Sequence, residues 1–175
     1  MKKKILCALL TAAVICSCAG CGGNTPAATT KAAEAPAATA AGETKSDADA
    51  SSIAKAVLDE IPIASAFEKK KDTLGDYFDD LNVDAIEDFN YTICASGAYP
   101  DEIAVFRFSS ESDAEAAVPV MEARLEYQTK MYKDYTPDEV YKLEDAVIKQ
   151  SGVWVWYLVT SNNTRADEIV RGQIR

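Results

Sequence analysis

Histidine is absent from all 175 residues, and that one gap removes a large share of enzyme chemistry. Without imidazole there is no Ser-His-Asp triad, no Cys-His dyad and none of the common histidine-bearing zinc sites. No Gly-rich phosphate loop and no Ser-x-x-Lys nucleophile motif occurs either. Cysteine is scarce where a domain would use it: Cys7, Cys16, Cys18 and Cys21 all lie near the N-terminus, leaving Cys94 alone beyond them. One thiol forms no internal disulfide, so the domain must be held by its core. With no imidazole to activate it, Cys94 reads as a buried strand residue. Positive charge is also short, at 18 basic residues against 28 acidic. Phosphate binding needs a basic surface, which argues against nucleic acid as a partner. No catalytic residue, metal ligand or cofactor is expected from this inventory.

What is present begins with an address. Lys2, Lys3 and Lys4 precede an almost wholly apolar run from Ile5 to Ile15. That run is short of the roughly 20 apolar residues a membrane-spanning helix needs, and a positive start with a short apolar core describes an export signal. It ends in Cys18-Ala19-Gly20-Cys21-Gly22-Gly23. This resembles a bacterial lipoprotein signal, in which small residues precede a cysteine that receives a diacylglyceryl group. The resemblance implies cleavage before Cys21, lipidation there, and a protein anchored in the cell membrane on its extracytoplasmic face. Cys18 stands where such signals usually carry an aliphatic residue, so Cys18 remains a second acceptor candidate, and an ordinary secretory signal a third reading. Removing the segment takes away three basic and no acidic groups, leaving 15 against 28 and a formal charge of −13. Anionic head groups should repel such a domain.

Three regions are expected: a signal over 1–20, a lipidated cysteine with a tether over 21–50, and one domain over 51–175. Residues 22–50 hold no aromatic residue and no aliphatic one larger than Ala, too little apolar surface to offset the entropy of ordering. A chain of that length reaches roughly 30 Å.

The domain opens with a helical stripe, Ile53, Ala54, Val57, Leu58 and Ile61, stopped at Pro62. Short helical turns are expected around Tyr77 and Ile86. From Phe89 the period changes to two: Tyr91, Ile93 and Ala95 alternate with Thr92 and Cys94, and a second strand follows over Glu102 to Phe108. Ser110-Glu111-Ser112-Asp113 is a helix start. The stripe Ala114, Val118, Met121, Leu125 and Tyr132 makes a long helix with an expected kink or split at Pro119. Thr136-Pro137-Asp138-Glu139 begins a short helix. Ala146 to Gln150 and Val153 to Thr160 form a hairpin about Ser151-Gly152, and Thr164 should cap a last helix. The spacing predicts an α+β fold: a mostly antiparallel four-stranded sheet of two hairpins packed with helices.

Several stretches carry a family resemblance. Gly97 with Pro100-Asp101-Glu102-Ile103-Ala104-Val105-Phe106, then Arg124-Leu125-Glu126 with Gln128, Tyr135-Thr136-Pro137-Asp138-Glu139, and the Ser151-Gly152 hairpin together resemble a family of uncharacterised lipoproteins of anaerobic gram-positive bacteria, described as a domain of unknown function. The resemblance implies surface exposure and no known activity or ligand.

Three candidate sites stand out. The hairpin has apolar residues on both faces, one of them carrying Val147, Lys149, Trp154, Trp156 and Leu158. Val147, Trp154, Trp156 and Leu158 could form an open platform for a protein or cell-wall ligand, or be covered by helices or by a second copy. Tyr99, in the Gly97–Glu102 turn, is a further contact candidate. The acidic run Asp76, Asp79, Asp80, Asp84, Glu87 and Asp88 resembles a calcium loop only at its start, because Ala85 stands where Gly is needed and Tyr91 where an acid is needed. The expected function is a non-enzymatic, lipid-anchored binding or adaptor domain. The alternatives are an acid-dependent hydrolase of cell-wall glycans and a structural homo-oligomeric module.

Overall fold

The computed structural model describes residues 48–174. The signal, Cys18, Cys21 and nearly all of the expected tether lie outside the described residues.

The first helix, α1 (Ala50–Glu60), starts where Asp49 accepts a hydrogen bond from the Ser52 N–H at 2.6 Å. That satisfies one of the free donors of its first turn. Ala50 is already fully buried, and its N–H donates to the Asp88 carboxylate at 2.8 Å. The first helix therefore starts one residue ahead of Ser51. Strand β1 (Ala66–Glu68) follows, then 3-10 turns at Lys71–Asp76 and Val83–Ala85. These lie beside the positions expected for helical turns, Tyr77 and Ile86.

The central strands are β2 (Ile86–Cys94) and β3 (Glu102–Phe108), followed by the long helix α2 (Glu111–Tyr135). Ser110 caps α2, its hydroxyl accepting from the Asp113 N–H at 3.2 Å. Pro119 does not split the helix. Pro119 and Glu115, four residues earlier, are both exposed, so the carbonyl that loses its partner faces solvent. After a 3-10 turn at Pro137–Glu139 come α3 (Val140–Glu144), β4 (Val147–Ser151), β5 (Trp154–Val159) and α4 (Asn163–Gln173). The cap of α4 is Asn162, not Thr164: its side chain accepts from the Arg165 N–H at 3.1 Å.

One sheet of five strands results, in the order β1-β2-β3-β5-β4, with every pair antiparallel. The expectation of four strands missed β1, whose three residues are all exposed and carry no alternating pattern. The β4–β5 turn is Gly152-Val153 rather than Ser151-Gly152, with Ser151 opposite Trp154 and Lys149 opposite Trp156. Gly152 supplies the positive φ, 55°, that the first central position of such a turn requires. Moving the register by two residues leaves every side chain on its expected face.

Both faces of the sheet are covered. On one, Tyr91, Phe106, Phe108, Val155 and Tyr157 pack with Ala114, Ala117 and Met121 of α2 and with Leu74 and Phe78. On the other, Ile103, Val105, Trp154, Trp156 and Leu158 pack with Ile53 and Val57 of α1 and with Ala166 and Val170 of α4. The tryptophan face is thus core rather than an open platform: Trp154 is 4% and Trp156 2% exposed, Leu158 is fully buried and Val147 half-buried. The indole N–H of Trp156 donates to Asp167 on α4 at 3.1 Å, and the same carboxylate accepts from Lys149 at 2.6 Å and Arg171 at 3.0 Å. Burial alone would raise the Asp167 carboxyl, but these partners hold it below its ordinary value.

Candidate functional site

The α2 layer does not reach the β1 edge of the sheet, and a groove of about 470 Å³ opens there. Five separate stretches build it. β1 contributes Phe67, and Lys69 follows it; Tyr77 comes from the turn after the first 3-10 segment. The end of β2 supplies Ile93 and Cys94, the β2–β3 connection Gly97, Tyr99 and Asp101, and the start of β3 Glu102. From α2 come Arg124, Tyr127, Gln128, Met131 and Tyr132, a set spaced by three and four residues and so on one stripe of the helix.

The floor of the groove is a buried polar network. Glu102 is buried, and Arg124 meets its carboxylate through two guanidinium nitrogens, Nε donating to Oε2 at 3.3 Å and Nη2 to Oε1. Gln128 Nε2 donates to Glu102 Oε1 at 2.7 Å, while Gln128 Oε1 accepts from the Tyr157 hydroxyl at 2.7 Å. Burial pushes the Glu102 carboxyl up, against the pull of Arg124. Burial would lower Arg124, but Glu102 overrides it and raises the guanidinium further. Burial together with the negative charge of Glu102 raises both Tyr91 and Tyr157, which remain neutral. Asp101 is committed too, accepting from Lys142 at 2.8 Å, and Lys142 also meets Glu139 at 2.7 Å. Burial would lower Lys142, but Asp101 and Glu139 raise it.

The rim is aromatic. Phe67 is 55%, Tyr127 56%, Tyr99 42% and Met131 40% exposed. The Lys69 ammonium lies 5.2 Å from the Phe67 ring and 4.6 Å from that of Tyr77, and the Arg124 guanidinium stands 5.2 Å from Tyr77 on the floor side. The Tyr132 hydroxyl donates to the Tyr99 carbonyl at 2.8 Å and fixes the turn against α2. Such a site can stack a planar or apolar group and meet a negative charge at Lys69.

Of the expected contact residues, Tyr99 lies at this groove, whereas Val147, Trp154, Trp156 and Leu158 lie on the opposite face of the sheet. The acidic run is dispersed over the 3-10 turns and the start of β2, and its Asp88 holds the start of α1. No group of three or more acids and cysteines is placed to hold a metal ion among the described residues. Cys94 lines the groove and is a free thiol, buried. Phe67, Lys69, Tyr127 and Met131 escaped the sequence reading, and Tyr77 was read only as the place of a helical turn. Gly97, Asp101 and Glu102 were read as part of a turn that could hold a ligand, Arg124 and Gln128 only as stretches of the family resemblance, and the fold brings all five together.

Fold and site define a class: an antiparallel sheet covered by helices on both faces, with one aromatic groove left where the cover ends. The chain belongs to the family described as Domain of unknown function (DUF4358), which matches residues 68–160, just over half of its length. No curated protein and no solved structure matches it.

Replacing Arg124 by Met would leave the buried Glu102 without its cation. The variant should lose about 3–5 kcal/mol at neutral pH. Glu102 then has a folded pKa further above its ordinary 4.5, so its favourable contribution is present below that value and lost as pH rises through the folded pKa. Urea unfolding should therefore show a deficit that shrinks on acidification, and a deficit independent of pH would contradict this reading of the pair.

Proposed function

We propose that this protein is a lipid-anchored binding domain on the extracytoplasmic face of the cell membrane, taking its ligand in the groove between β1 and α2. The positive start, short apolar core and Ala19-Gly20-Cys21 ending support the anchor, with Cys21 as the lipidated residue. The groove reading rests on one observation. Of the six large apolar side chains that stand exposed among the described residues, four (Phe67, Tyr99, Tyr127 and Met131) surround this single groove. Scattered exposed apolar residues need no explanation, whereas a cluster at a concavity marks a contact site.

The hydrolase alternative gains nothing from this geometry. Glycoside hydrolysis needs two carboxyl groups flanking the bond to be cut, and the two acids of the groove are each ion-paired, Asp101 with Lys142 and Glu102 with Arg124.

Two measurements test the proposal. In metabolic labelling with a fatty-acid analogue, the wild-type chain should be labelled and Cys21→Ala should not; label that persists would move the anchor to Cys18 or elsewhere. For the groove, indole-3-acetate combines a flat apolar ring with one negative charge. Added to the full-length chain in lipid nanodiscs, it should give saturable amide shifts around Phe67, Tyr99 and Tyr127. Phe67→Ala and Tyr127→Ala should each weaken it by about tenfold or more. Shifts scattered over the surface, or binding indifferent to both substitutions, would remove the groove as the ligand site.

A further inference from the structure

The groove adjoins an open sheet edge. Among the described residues β1 has one neighbour, β2, and the ladder fixes which of its main-chain groups point outward. Lys69 N–H donates to the Tyr91 carbonyl at 2.7 Å, and Ala95 N–H donates to the Ser65 carbonyl at 3.0 Å. Bonded and non-bonded pairs alternate along an antiparallel ladder, so positions 65, 67 and 69 bond to β2. Ala66 and Glu68 then direct their N–H and C=O groups away from it, and both residues are exposed. Side chains of the same strand serve the groove: Phe67, opposite Ile93, and Lys69, two residues on, both line it.

Charge adds a second constraint. Glu102 is paired with Arg124 and Asp101 shares Lys142 with Glu139, while Lys69 makes no ion pair among the described residues and stands against two rings. The groove thus presents Lys69 as a cation unpaired among the described residues, in a chain whose formal charge is −10.

We propose that the ligand of this groove is an extended, acidic peptide segment of a partner protein, which adds as a sixth strand beside β1. Its main chain bonds to the outward groups of Ala66 and Glu68. One apolar side chain enters the groove beside Phe67 and Tyr127, and an Asp or Glu two residues away meets Lys69. Main-chain bonds supply affinity in this mode and alternate side chains supply specificity. A free sugar or small carboxylate would use the rings and Lys69 but would leave the edge of β1 unpaired. The inference rests on the groove being the ligand site, and the test separates the two.

The full-length chain in nanodiscs would be titrated with blocked peptides in which Thr alternates with one apolar residue (Leu, Phe or Trp) and one Asp, in both orders. Indole-3-acetate would report on the groove. At least one peptide should displace the reporter and slow amide exchange at Ala66 and Glu68. The decisive variant is Glu68→Pro. It deletes an outward N–H that β2 does not use, so an edge strand tolerates it. It should weaken the peptide by about tenfold or more and leave the reporter's affinity unchanged. Peptide binding indifferent to Glu68→Pro would overturn strand addition. Reporter binding that no peptide displaces would overturn the peptide and spare the groove, and failure of both ligands would overturn both readings. Reporter affinity that rises on dilution would put a second copy of the chain in the groove, which also overturns the proposal.

Discussion

The two strands at the heart of the sheet have no polar face. Along β3, Ile103 and Val105 point one way and Ala104, Phe106 and Phe108 the other; along β5, Trp154, Trp156 and Leu158 oppose Val155, Tyr157 and Val159. Every one of these is buried, and each large side chain so removed from water is worth about 1.5–3 kcal/mol. Strands of this kind fold only if both sides of the sheet are covered. With no disulfide among the described residues to help, α1 and α4 must close one side, and α2 with Leu74 and Phe78 the other.

The groove follows from that constraint. One long helix forms most of the cover on one side of the sheet, and at the β1 edge that cover gives out. There α2 meets the sheet through charge instead of packing alone: Arg124 and Gln128 reach down to Glu102, and Tyr132 ties the Gly97–Tyr99 turn to the helix. A buried ion pair is expensive in desolvation and adds little net stability. What Glu102 and Arg124 provide is a fixed placement of α2 against β3, which holds Tyr127 and Met131 at the rim. The polar groups of the floor are spent on one another, so recognition falls to the rings, to Lys69 and to the neighbouring edge of β1.

Much of the scaffold was legible in the chain. Alternation in Tyr91–Cys94 and Glu102–Phe108 marked the central hairpin, Ser110 marked the start of α2, and the two apolar faces of β4–β5 survived an error in the turn because the register moved by an even number. The failures have local causes. β1 is too short and too exposed to show a period, and Asn162 offered a cap two residues ahead of Thr164. The tryptophans drew attention as a platform because composition alone does not reveal whether helices cover both apolar faces. The groove was illegible for a different reason: its walls come from five stretches, and only the fold brings Phe67, Tyr99 and Tyr127 together. Tyr99 was singled out through its turn, and Arg124 and Gln128 through resemblance, yet nothing in spacing linked them.

The account depends on the tryptophan face being covered within one chain. Trp154 and Trp156 are the only two tryptophans, so intrinsic fluorescence of the full-length chain in detergent reads that face directly. Blue-shifted emission, poorly quenched by acrylamide and unchanged on dilution, is the expected result. Red-shifted, readily quenched emission from a folded chain, or emission that shifts red on dilution, would mean that the face is open or closed only by a second copy, and would contradict the account.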